Sequence, residues 1–449
     1  MLEIQRAKEI RGKFELPPNP DFFFLSLLIA LASNKVTTIT PVYDTPLITL
    51  FKKTLSNHLD IKHGNNTCIV SPKVNAGSSY ILLPYNELPF RDFVVFLLLG
   101  LKKTVAFNNL SQKRLETWQQ KARLFGLTIE SKQFDDATGI SISSDASFKA
   151  PVEIIDQNCI HACIGLALGF KEKLCFLSNH QFQSPLRHIL PAFGYEVIIK
   201  SSYEKKDPLT RRLRFLAPKL TKKSDSKLSF TVTIDFSNVN HNETTIDLPG
   251  DDVLGAILFA AKSLVQRGQL ILSNVPLEPW GCATLNYIRK MGCNEGVQQE
   301  QQSSFGSTGM VYLQHFKLAG HKMECKPLYQ YQRQLPAMVT IATFAKGQSV
   351  FRELEDLRYE TPDAIEQILT CVRIMGGRHG EMPDGIVIDG ARQHDGFDLR
   401  ETVSAALNGA CAVAGLKCNG KTFIEDLKIV QRWPSFKKIL DSICIYKTA

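Results

Sequence analysis

Arginines that accompany apolar helical runs are the residues of this chain best suited to chemistry. Arg333, Arg352, Arg358 and Arg400 are available to a cleft, and a guanidinium binds phosphate or carboxylate through paired, charge-assisted hydrogen bonds. The formal net charge of +9 and the pI near 8.9 suit an anionic substrate, but they suit a mildly basic protein equally well. Most arginines in proteins lie solvated on the surface. These arginines therefore indicate anion binding only if the fold brings them together.

The elements that must position them repeat along the chain. An apolar helix, a short strand and an amphipathic helix recur six times, with the apolar helices beginning near Phe22, Arg91, Asp156, Asp252, Leu335 and Thr402. The strands that follow are predicted at Thr37–Tyr43, Thr104–Asn108, Leu174–Ser178, Gln269–Asn274, Gln348–Leu354 and Lys421–Ile429. The second helices of four repeats end at Phe125-Gly126, Phe193-Gly194, Met291-Gly292 and Met375-Gly376. A unit that recurs at roughly 65–95 residues is typical of a fold built by duplication.

This repeat predicts an α/β fold of two lobes, each an inside-out α/β barrel with three βαβα-type repeats. The first helix of each repeat is apolar nearly all round, so we expect it inside a lobe, and the second carries a polar face and should coat the lobe. Crossings near Pro17–Pro20 and Asp247–Gly250 give a first lobe of residues 1–18 and 247–449 and a second lobe of residues 19–246. A ligand should bind in the cleft between the lobes.

Composition excludes several other classes of protein. The basic stretch from Lys205 to Lys227 lies between repeats without interleaved aromatic residues, so we interpret it as a solvated insertion and expect no nucleic-acid partner. The 11 cysteines show no framework spacing, which indicates a reducing compartment. Cys159 and Cys163 would share a helix face near His161, but no second cluster completes a zinc site, so core packing is the preferred interpretation. We expect no metal and no cofactor.

The apolar segment from Phe22 to Ala32 imitates the core of a signal peptide. Glu3, Glu9 and Glu15 precede it and prolines interrupt its start, whereas a signal peptide begins with a positively charged region. The segment is also too short to span a bilayer, which needs about 20 apolar residues. The sequence therefore predicts a cytoplasmic protein with no membrane partner, and we expect a monomer.

Several motifs in the second half resemble those of the 5-enolpyruvylshikimate-3-phosphate (EPSP) synthase family. Ser273-Asn274-Val275-Pro276-Leu277, followed by Leu285 and Met291-Gly292, is similar to the fourth repeat of that family. Leu335-Pro336, Ala345-Lys346-Gly347, Leu357-Arg358 and Asp363 resemble the fifth, and Pro383–Gly390 with Trp433-Pro434-Ser435-Phe436 resembles the sixth. Gly12, Leu16-Pro17 and Asp44-Thr45 are similar to the first repeat.

The resemblance implies a transferase that moves the enolpyruvyl group of phosphoenolpyruvate onto the 5-hydroxyl of shikimate 3-phosphate. Both substrates are anions, so the cleft would need several cations, a base for the hydroxyl and an acid for the methylene carbon. The family also implies substrate-binding roles for Arg400 and, where its Ser-Ser-Gln motif aligns ambiguously, for Gln157 or Asn158.

This sequence departs from the family at the positions that carry the chemistry. The family enters its first helix through Gly-Ser-Lys-Ser with an arginine one turn later, whereas this chain has Pro18-Asn19-Pro20-Asp21 and Leu25. We predict Asp21 as the N-cap, where its charge would repel a phosphate. The family's aspartate base is replaced by Arg333. Its Lys-Glu-Ser-Asp-Arg run becomes Glu360-Thr361-Pro362-Asp363-Ala364, its Asp-His-Arg becomes Asp398-Leu399-Arg400, and its Lys-Ser becomes Gln431-Arg432.

The residues that remain support three interpretations. If transfer survives in a rearranged site, Glu360 and Asp398 are the candidate acid–base groups, and Arg400, Arg358, Arg333, Arg432 and Gln157 are the candidates for binding phosphoenolpyruvate and shikimate 3-phosphate. A second interpretation is transfer to a less charged acceptor. The third is a non-catalytic protein that binds a different ligand or a partner through its cleft. A sister class that transfers enolpyruvate to a UDP-sugar is disfavoured, because no cysteine falls on the loop before Gly126.

Overall fold

A computed structural model describes residues 1–73, 80–84, 90–134, 136–143, 145–149, 159–178, 184–203, 228–237, 243–293, 295–313, 316–325, 328–359, 363–390, 394–401 and 403–446. Its apolar side chains form two cores. One contains residues of segments 2–16 and 253–444, and the other contains residues of segment 22–248 together with Trp280 and Phe305. We use "first lobe" for the elements around the former core and "second lobe" for those around the latter.

The helices of the second lobe divide into inner and outer sets. In chain order they are α1 (Pro20–Ser33), α2 (Pro46–Leu55), α3 (Arg91–Gly100), α4 (Gln112–Leu124), α5 (Ile160–Phe170) and α6 (Leu186–Ala192). Almost every side chain of α1, α3 and α5 is buried, whereas α2 and α4 bury one face only. The close packing of α3 on α5 requires glycine, since a Cβ added at Gly165 would lie 2.5 Å from the carbonyl oxygen of Phe93. The uniformly apolar sequences therefore form the interior of the lobe.

The first lobe repeats this arrangement with α7 (Asp252–Leu264), α8 (Ala283–Lys290), α9 (Leu328–Phe344), α10 (Ala364–Ile374), α11 (Ala405–Gly415), α12 (Leu427–Arg432) and α13 (Phe436–Ile443). Helices α7, α9 and α11 pack against one another in its core. Outer helices of both lobes stop before a glycine with positive φ, as at Gly126 (+74°) and Gly376 (+80°). This left-handed conformation ends a helix and favours glycine.

Short strands surround the inner helices. The first fourteen are β1 (Leu2–Ile4), β2 (Ala7–Ile10), β3 (Gly12–Glu15), β4 (Val36–Thr40), β5 (Leu59–Gly64), β6 (Thr67–Pro72), β7 (Ile81–Leu82), β8 (Val105–Phe107), β9 (Ile129–Phe134), β10 (Ala137–Ile142), β11 (Leu174–Ser178), β12 (Glu196–Tyr203), β13 (Leu228–Asp235) and β14 (Glu243–Asp247). The others are β15 (Leu270–Pro276), β16 (Glu295–Ser303), β17 (Gly306–Leu313), β18 (Lys322–Glu324), β19 (Gly347–Arg352), β20 (Arg378–Met382), β21 (Gly385–Gly390), β22 (Asp398–Leu399), β23 (Thr422–Ile424) and β24 (Cys444–Tyr446).

These strands form small sheets, of which β11-β13-β12 and β2-β24 are antiparallel and the others are mixed. Their orders are β14-β4-β6-β5, β7-β8-β10-β9 and β11-β13-β12 in the second lobe, and β16-β17-β15-β3, β18-β19-β21-β20, β1-β23-β22 and β2-β24 in the first. Strand β3 pairs in parallel with β15, and β14 pairs in parallel with β4. Strand β3 of the first lobe and strand β14 of the second lobe are each the last element before the chain crosses to the other lobe.

The chain passes between the lobes through two adjacent segments, Leu16–Pro20 and Leu248–Asp251. They are hydrogen-bonded to each other, because the Asn19 amide donates to the Pro249 carbonyl (2.9 Å) and the Asp251 amide donates to the Pro17 carbonyl (2.7 Å). A bridge between Pro18 and Gly250 lies between these two bonds. We call this paired segment the hinge.

Two elements differ most from their predicted bounds, and the first is the helix expected to begin near Leu335, which begins at Leu328. The strand predicted at Lys421–Ile429 is wrong beyond Ile424, because the chain turns at Glu425-Asp426 and begins α12 at Leu427. The basic stretch from Lys205 to Lys227 lies outside the described residues. None of the helices in the described ranges is long and apolar enough to cross a membrane.

Candidate functional site

Polar side chains from three inner helices and from α12 meet beside the hinge. We call this set the junction cluster, and it consists of Asn19, Asp21, Asp251, Asp252, Arg333, Gln334, Arg432 and Trp433. Asn19 and Asp21 belong to the second lobe at the start of α1, and the other members belong to the first lobe. Seven of the eight are at most 7% exposed: Asn19, Asp21, Asp251, Asp252, Gln334, Arg432 and Trp433.

Asp21 is the residue on which both arginines of the cluster converge. Arg432 donates from Nη1 to Oδ1 of Asp21 (3.1 Å) and from Nη2 to Oδ2 (2.6 Å). Arg333 donates to Oδ2 as well. Two parallel N–H···O bonds are the strongest geometry for a guanidinium and a carboxylate. The carboxylate of Asp21 thus occupies, for both arginines, the position that a bound anion would take.

The predicted N-cap role of Asp21 is wrong. Asn19 caps α1, accepting from the amides of Asp21 (2.9 Å) and Phe22 (3.4 Å) through its side-chain oxygen. Proline follows the cap at position 20, where its fixed φ suits the first helical turn. Asp21 therefore lies one residue inside the helix, and its side chain is free to reach across to the other lobe.

Asp251 holds the start of α7 and the second face of Arg432. Its Oδ1 accepts from the amides of Val253 (3.0 Å) and Leu254 (3.4 Å), which makes it the N-cap. Arg432 donates from Nε to Oδ2 of Asp251 (3.1 Å) and from Nη2 to Oδ1 (3.1 Å). The Trp433 indole donates to the same carboxylate (2.8 Å). Arg432 is therefore bound bidentately on two sides by two carboxylates.

Asp252 makes a second polar contact between the lobes, one that does not involve the arginines. It accepts from the Asn19 amide group (2.7 Å) and from the Gln334 amide group (2.9 Å). Gln334 also donates to the Gly281 carbonyl (3.0 Å) and accepts from the Thr284 amide (3.0 Å), which fixes its orientation. Burial, and then the neighbouring charge of Asp251, raise the pKa of Asp252 to about 6. This carboxyl would exchange its proton near neutral pH.

The cluster leaves no nitrogen of Arg432 free to bind a further anion. It contains three carboxylates and two guanidiniums, and every Arg432 nitrogen is hydrogen-bonded to Asp21 or Asp251. Burial and the proximity of Arg432 lower the pKa of Arg333, although a guanidinium remains charged at any pH where proteins fold. Arg333 is balanced by Asp21 and retains 22% side-chain exposure.

Apolar contacts join the lobes beside the cluster. The Phe22 ring, one residue after Asp21, stacks on Phe305 with centroids 4.4 Å apart and meets Trp280 edge to face at 4.8 Å. His188 of the second lobe lies 3.4 Å from the Glu278 carboxylate of the first. The start of α1 is therefore embedded in the first lobe by packing as well as by charge.

The other predicted site residues have separate surroundings. Arg358 donates to the Glu381 carboxylate (2.5 Å) and the Met382 carbonyl (3.0 Å), and it lies 3.8 Å from Asp363, the N-cap of α10. Arg400 donates to Asp398 (3.0 Å), and their side chains are 76% and 45% exposed. The structure thus brings Arg333 and Arg432 together and leaves Arg358, Arg400 and Asp398 in local pairs. Glu360 and Gln157 lie outside the described residues.

Sequence reasoning missed Asn19, Asp251, Asp252, Gln334 and Trp433 as members of the site. Asn19-Pro20 and Asp251 each stand directly before an apolar helical run, which is the signature of a helix start. Applied to both crossings, that signature would have identified the two caps. Gln334 and Trp433 carry no such signal, because only the tertiary fold brings them to the caps.

A second polar pair lies within the second lobe. The His161 imidazole is 2.9 Å from the Ser184 hydroxyl, and burial lowers the pKa of His161 to about 4. Burial also raises the pKa of the nearby Cys163 thiol. Within the part of the chain that is described, no group of three or more His, Cys, Asp or Glu side chains could hold a metal ion.

Comparisons with known proteins agree with this architecture. The family model for EPSP synthase (3-phosphoshikimate 1-carboxyvinyltransferase) matches residues 222–442. A 3-phosphoshikimate 1-carboxyvinyltransferase of Brevibacillus brevis is 22% identical over 99% of this chain and 100% of that protein. One of Desulfitobacterium hafniense is 23% identical over 44% of this chain, and the match spans only 46% of its own length.

Solved structures extend the likeness to both lobes. EPSP synthase of Acinetobacter baumannii superposes with a TM-score of 0.70 at 15% identity, over 100% of this chain and 99% of that one. The enolpyruvyl transferase NikO of Streptomyces tendae gives a TM-score of 0.66 at 12% identity, over 98% and 96% of the two chains. The predicted α/β, EPSP synthase-like fold is confirmed.

Proposed function

Because this chain belongs to the EPSP synthase family, we propose that it retains the family scaffold as a binding protein and does not transfer enolpyruvate to shikimate 3-phosphate. The observation that carries this proposal is the contact of Asp21 with both Arg333 and Arg432. The protein's own carboxylate takes the place of a substrate anion between the lobes.

The proposal follows from the charge that the reaction would demand. Phosphoenolpyruvate and shikimate 3-phosphate are both phosphorylated, and a phosphate could reach Arg432 only by displacing Asp21 or Asp251. Leaving a buried charge without its partner costs about 3–5 kcal/mol. Since each 1.4 kcal/mol is tenfold in affinity, the displacement would weaken anion binding by roughly 10²–10⁴-fold. A loss of binding energy of that size would leave a transferase with little affinity for its two phosphorylated substrates.

The start of α1 supports the same conclusion. Free amides at a helix N-terminus bind phosphate well. Here the Asn19 side chain accepts from the amides of Asp21 and Phe22, and position 20 is a proline without an amide hydrogen. The negative side chain of Asp21 then lies in the first turn, where it interacts favourably with the helix dipole in place of a ligand.

Enolpyruvyl transfer is the second candidate, and the same cluster gives it some support. Two arginines face the second lobe, and Asp252, with its pKa near 6, could act as an acid or base at neutral pH. In this version Asp21 would leave Arg333 and Arg432 when substrate enters. Glu360, Asp398, Gln157, Arg358 and Arg400 would then keep the roles that the family resemblance implies. A less charged acceptor than shikimate 3-phosphate would ease the demand for cations.

A phosphate-release assay separates the candidates. Purified protein at high concentration is incubated with phosphoenolpyruvate and shikimate 3-phosphate, and inorganic phosphate is measured over hours. We expect no release above the rate without enzyme. Steady release that is lost in Arg432→Lys, but kept in Lys437→Ala, would overturn the proposal. Lys437 is a suitable control because its side chain is 44% exposed and contacts Asp441 and the Tyr446 ring, neither of which belongs to the junction cluster.

Binding is measured in parallel, since a repurposed protein can still hold a ligand. Thermal melts with each substrate alone would show a rise in melting temperature for any that binds the folded state. We expect no shift with phosphoenolpyruvate or shikimate 3-phosphate. A shift with either compound, without phosphate release from the pair, would leave a binding role but contradict the inference that the junction cluster binds no further anion.

A further inference from the structure

A cavity of about 440 Å³ lies on the hinge. Its walls come from both crossings, from the loop that leads into α2 and from the start of α13. Among the candidate substrate-binding arginines, Arg432 lines it and Arg333, Arg358 and Arg400 do not, so it overlaps only in part with the site that the family resemblance implies. Small-molecule sites are typically clefts of about 300–1,000 Å³ with mostly apolar walls and few polar groups.

The walls of this hinge pocket are rigid and apolar. Five prolines line it, Pro17, Pro18, Pro20, Pro41 and Pro434, and their rings lose no rotamer freedom when a ligand binds. Val42 and Ile48 add aliphatic surface from the α2 side, and the Trp433 indole adds an aromatic surface from the α12 side. A flat, apolar ring system is the kind of ligand body that such walls bury well.

The floor offers no positive charge to a ligand. Arg432 lines the pocket, but its nitrogens are bound to Asp21 and Asp251, and the Trp433 N–H is bound to Asp251. An anionic ligand would meet a floor whose net charge the two aspartates have already balanced. The pocket therefore discriminates against anions.

The rim is acidic. Asp44 and Glu15 both line the pocket. Asp44 is neutralised in part, since it accepts from Lys52 (2.8 Å) and lies 3.1 Å from His63. Glu15 is exposed and forms no ion pair with any residue in the described ranges. The rim therefore presents one uncompensated carboxylate beside an apolar cavity.

We propose that the hinge pocket is a binding site for a small cationic compound with a flat apolar body, such as an aromatic amine. Its ring lies between the prolines and Trp433, and its ammonium group pairs with Glu15. The pocket shares Asn19, Asp251, Arg432 and Trp433 with the junction cluster, but its proposed ligand is a cation that pairs with Glu15, so its binding is tested separately from enolpyruvyl transfer.

Three indole compounds with one ring and different charges test the proposal. Tryptamine is a cation, tryptophol is neutral and indole-3-acetate is an anion at pH 7. An exposed ion pair contributes about 0.2–1 kcal/mol, so we expect tryptamine to bind the full-length protein up to about fivefold more tightly than tryptophol. Indole-3-acetate should be the weakest. Affinities are measured by ligand-observed NMR and calorimetry.

Two variants locate the binding site. Glu15→Gln should reduce the affinity for tryptamine to that for tryptophol and leave tryptophol unchanged. Ser435→Trp should abolish binding of all three compounds by filling the mouth of the pocket. Ser435 is exposed and its side chain caps no helix amide, so this change should leave folding intact, as a thermal melt would verify. Ser131→Trp, on an exposed position of β9, is the matched control.

Three results would overturn the proposal. They are no saturable binding of tryptamine at millimolar concentration, equal affinity for the cation and the anion, and binding that persists in Ser435→Trp. None of them bears on phosphate release from the family's substrates, so failure of this inference is distinguishable from failure of the proposed function.

Discussion

The two lobes share one architecture but contribute different charges to the junction cluster, where the first lobe supplies arginines together with aspartates and the second lobe supplies an aspartate alone. The first lobe contributes both guanidiniums of the junction cluster, Arg333 and Arg432. The second lobe contributes a carboxylate, Asp21, at the start of α1. In the family that this chain resembles, the corresponding segment carries a lysine and ends in serine. The first lobe thus supplies the guanidinium groups of these ion pairs, and the second lobe supplies the carboxylate on which they converge.

Under the proposed function, this difference accounts for a scaffold that remains after the charges of its substrate pocket have changed. Three packed inner helices per lobe do not depend on the side chains at their N-termini, because their apolar surfaces are buried elsewhere. Charges at those N-termini can therefore change sign without unfolding either core. A buried charge at such an N-terminus is costly unless it has a partner of opposite charge. The carboxylate of Asp21 has that partner in the bidentate contact with Arg432.

The strongest test removes the arginine that both lobes share. Arg432→Met should lower the free energy of unfolding by about 3–5 kcal/mol, because Asp21 and Asp251 would remain buried without their main partner. Chemical denaturation measures the change. Lys437→Ala, which removes an exposed ion pair on α13, should cost less than about 1 kcal/mol. A similar small loss for both variants would mean that the lobes do not depend on this charge pairing.

The second test reverses the change in the second lobe. Asp21→Ser removes the internal anion and should free Arg333 and Arg432 for phosphate. Inorganic phosphate at 100 times its Kd would then raise the free energy of unfolding by about 2.7 kcal/mol, whereas the unaltered protein should show no specific response. Thermal melts in a phosphate series measure this, with Asp60→Ser as an exposed control. Identical responses of both proteins would refute the view that Asp21 blocks the site.

A third test concerns the carboxyl between the lobes. The folded-state pKa of Asp252 is about 6, above its ordinary value of 3.8, so the folded protein binds the proton more tightly than the unfolded chain does. Its contribution to stability is present below pH 4 and is lost as the pH rises through 6. Asp252→Asn should therefore gain stability relative to the unaltered protein between pH 4 and 7, on the order of 1–3 kcal/mol.

This difference is read as a slope, because losing the carboxylate also adds an offset that does not vary with pH. Other groups titrate in the same range of pH or below it. One is Asp92, where burial raises the pKa but the neighbouring Lys121 lowers it further, to about 2. The contributions of these groups cancel when the variant is compared with the unaltered protein in the same buffers. A difference that stays flat from pH 4 to 7 would contradict the raised pKa.

The smallest effect is expected at the most exposed candidate. Arg400→Ala removes a side chain that is 76% exposed and pairs only locally with Asp398, so stability should change by less than about 0.5 kcal/mol. Ligand binding at the hinge pocket should not change either. A marked loss of any enolpyruvyl transfer in this variant would instead support the second candidate function.

Much of the fold was predictable because apolar periodicity is a local property. The helices expected near Phe22, Arg91 and Asp252 begin within two residues of those positions, and the strand at Leu174–Ser178 has the predicted bounds. The predicted end of the last strand was wrong because apolar residues at Leu427 and Ile429 fit either a strand or a short helix. Periodicity alone cannot separate the two over so few residues.

The site was less predictable, for a different physical reason. The sequence identified Arg333 and Arg432 and the negative charge at Asp21, and it predicted repulsion of phosphate. It could not predict that these residues contact one another, since Arg432 and Asp21 are 411 residues apart. It also assigned the cap of α1 to Asp21, because aspartate and asparagine cap equally well and only the backbone geometry separates them.

The paired crossings determine how any motion between the lobes would be distributed. The Asn19 and Asp251 amides bond the two crossings to each other. Any rotation of one lobe relative to the other would therefore have its axis along this paired ribbon. In a rigid-body rotation, atoms near the axis move little, and atoms far from the axis move much further. The bonds of Asp21 and Asp251 with Arg432 lie beside this ribbon, so a rotation of the lobes would separate their outer rims while leaving these ion pairs intact.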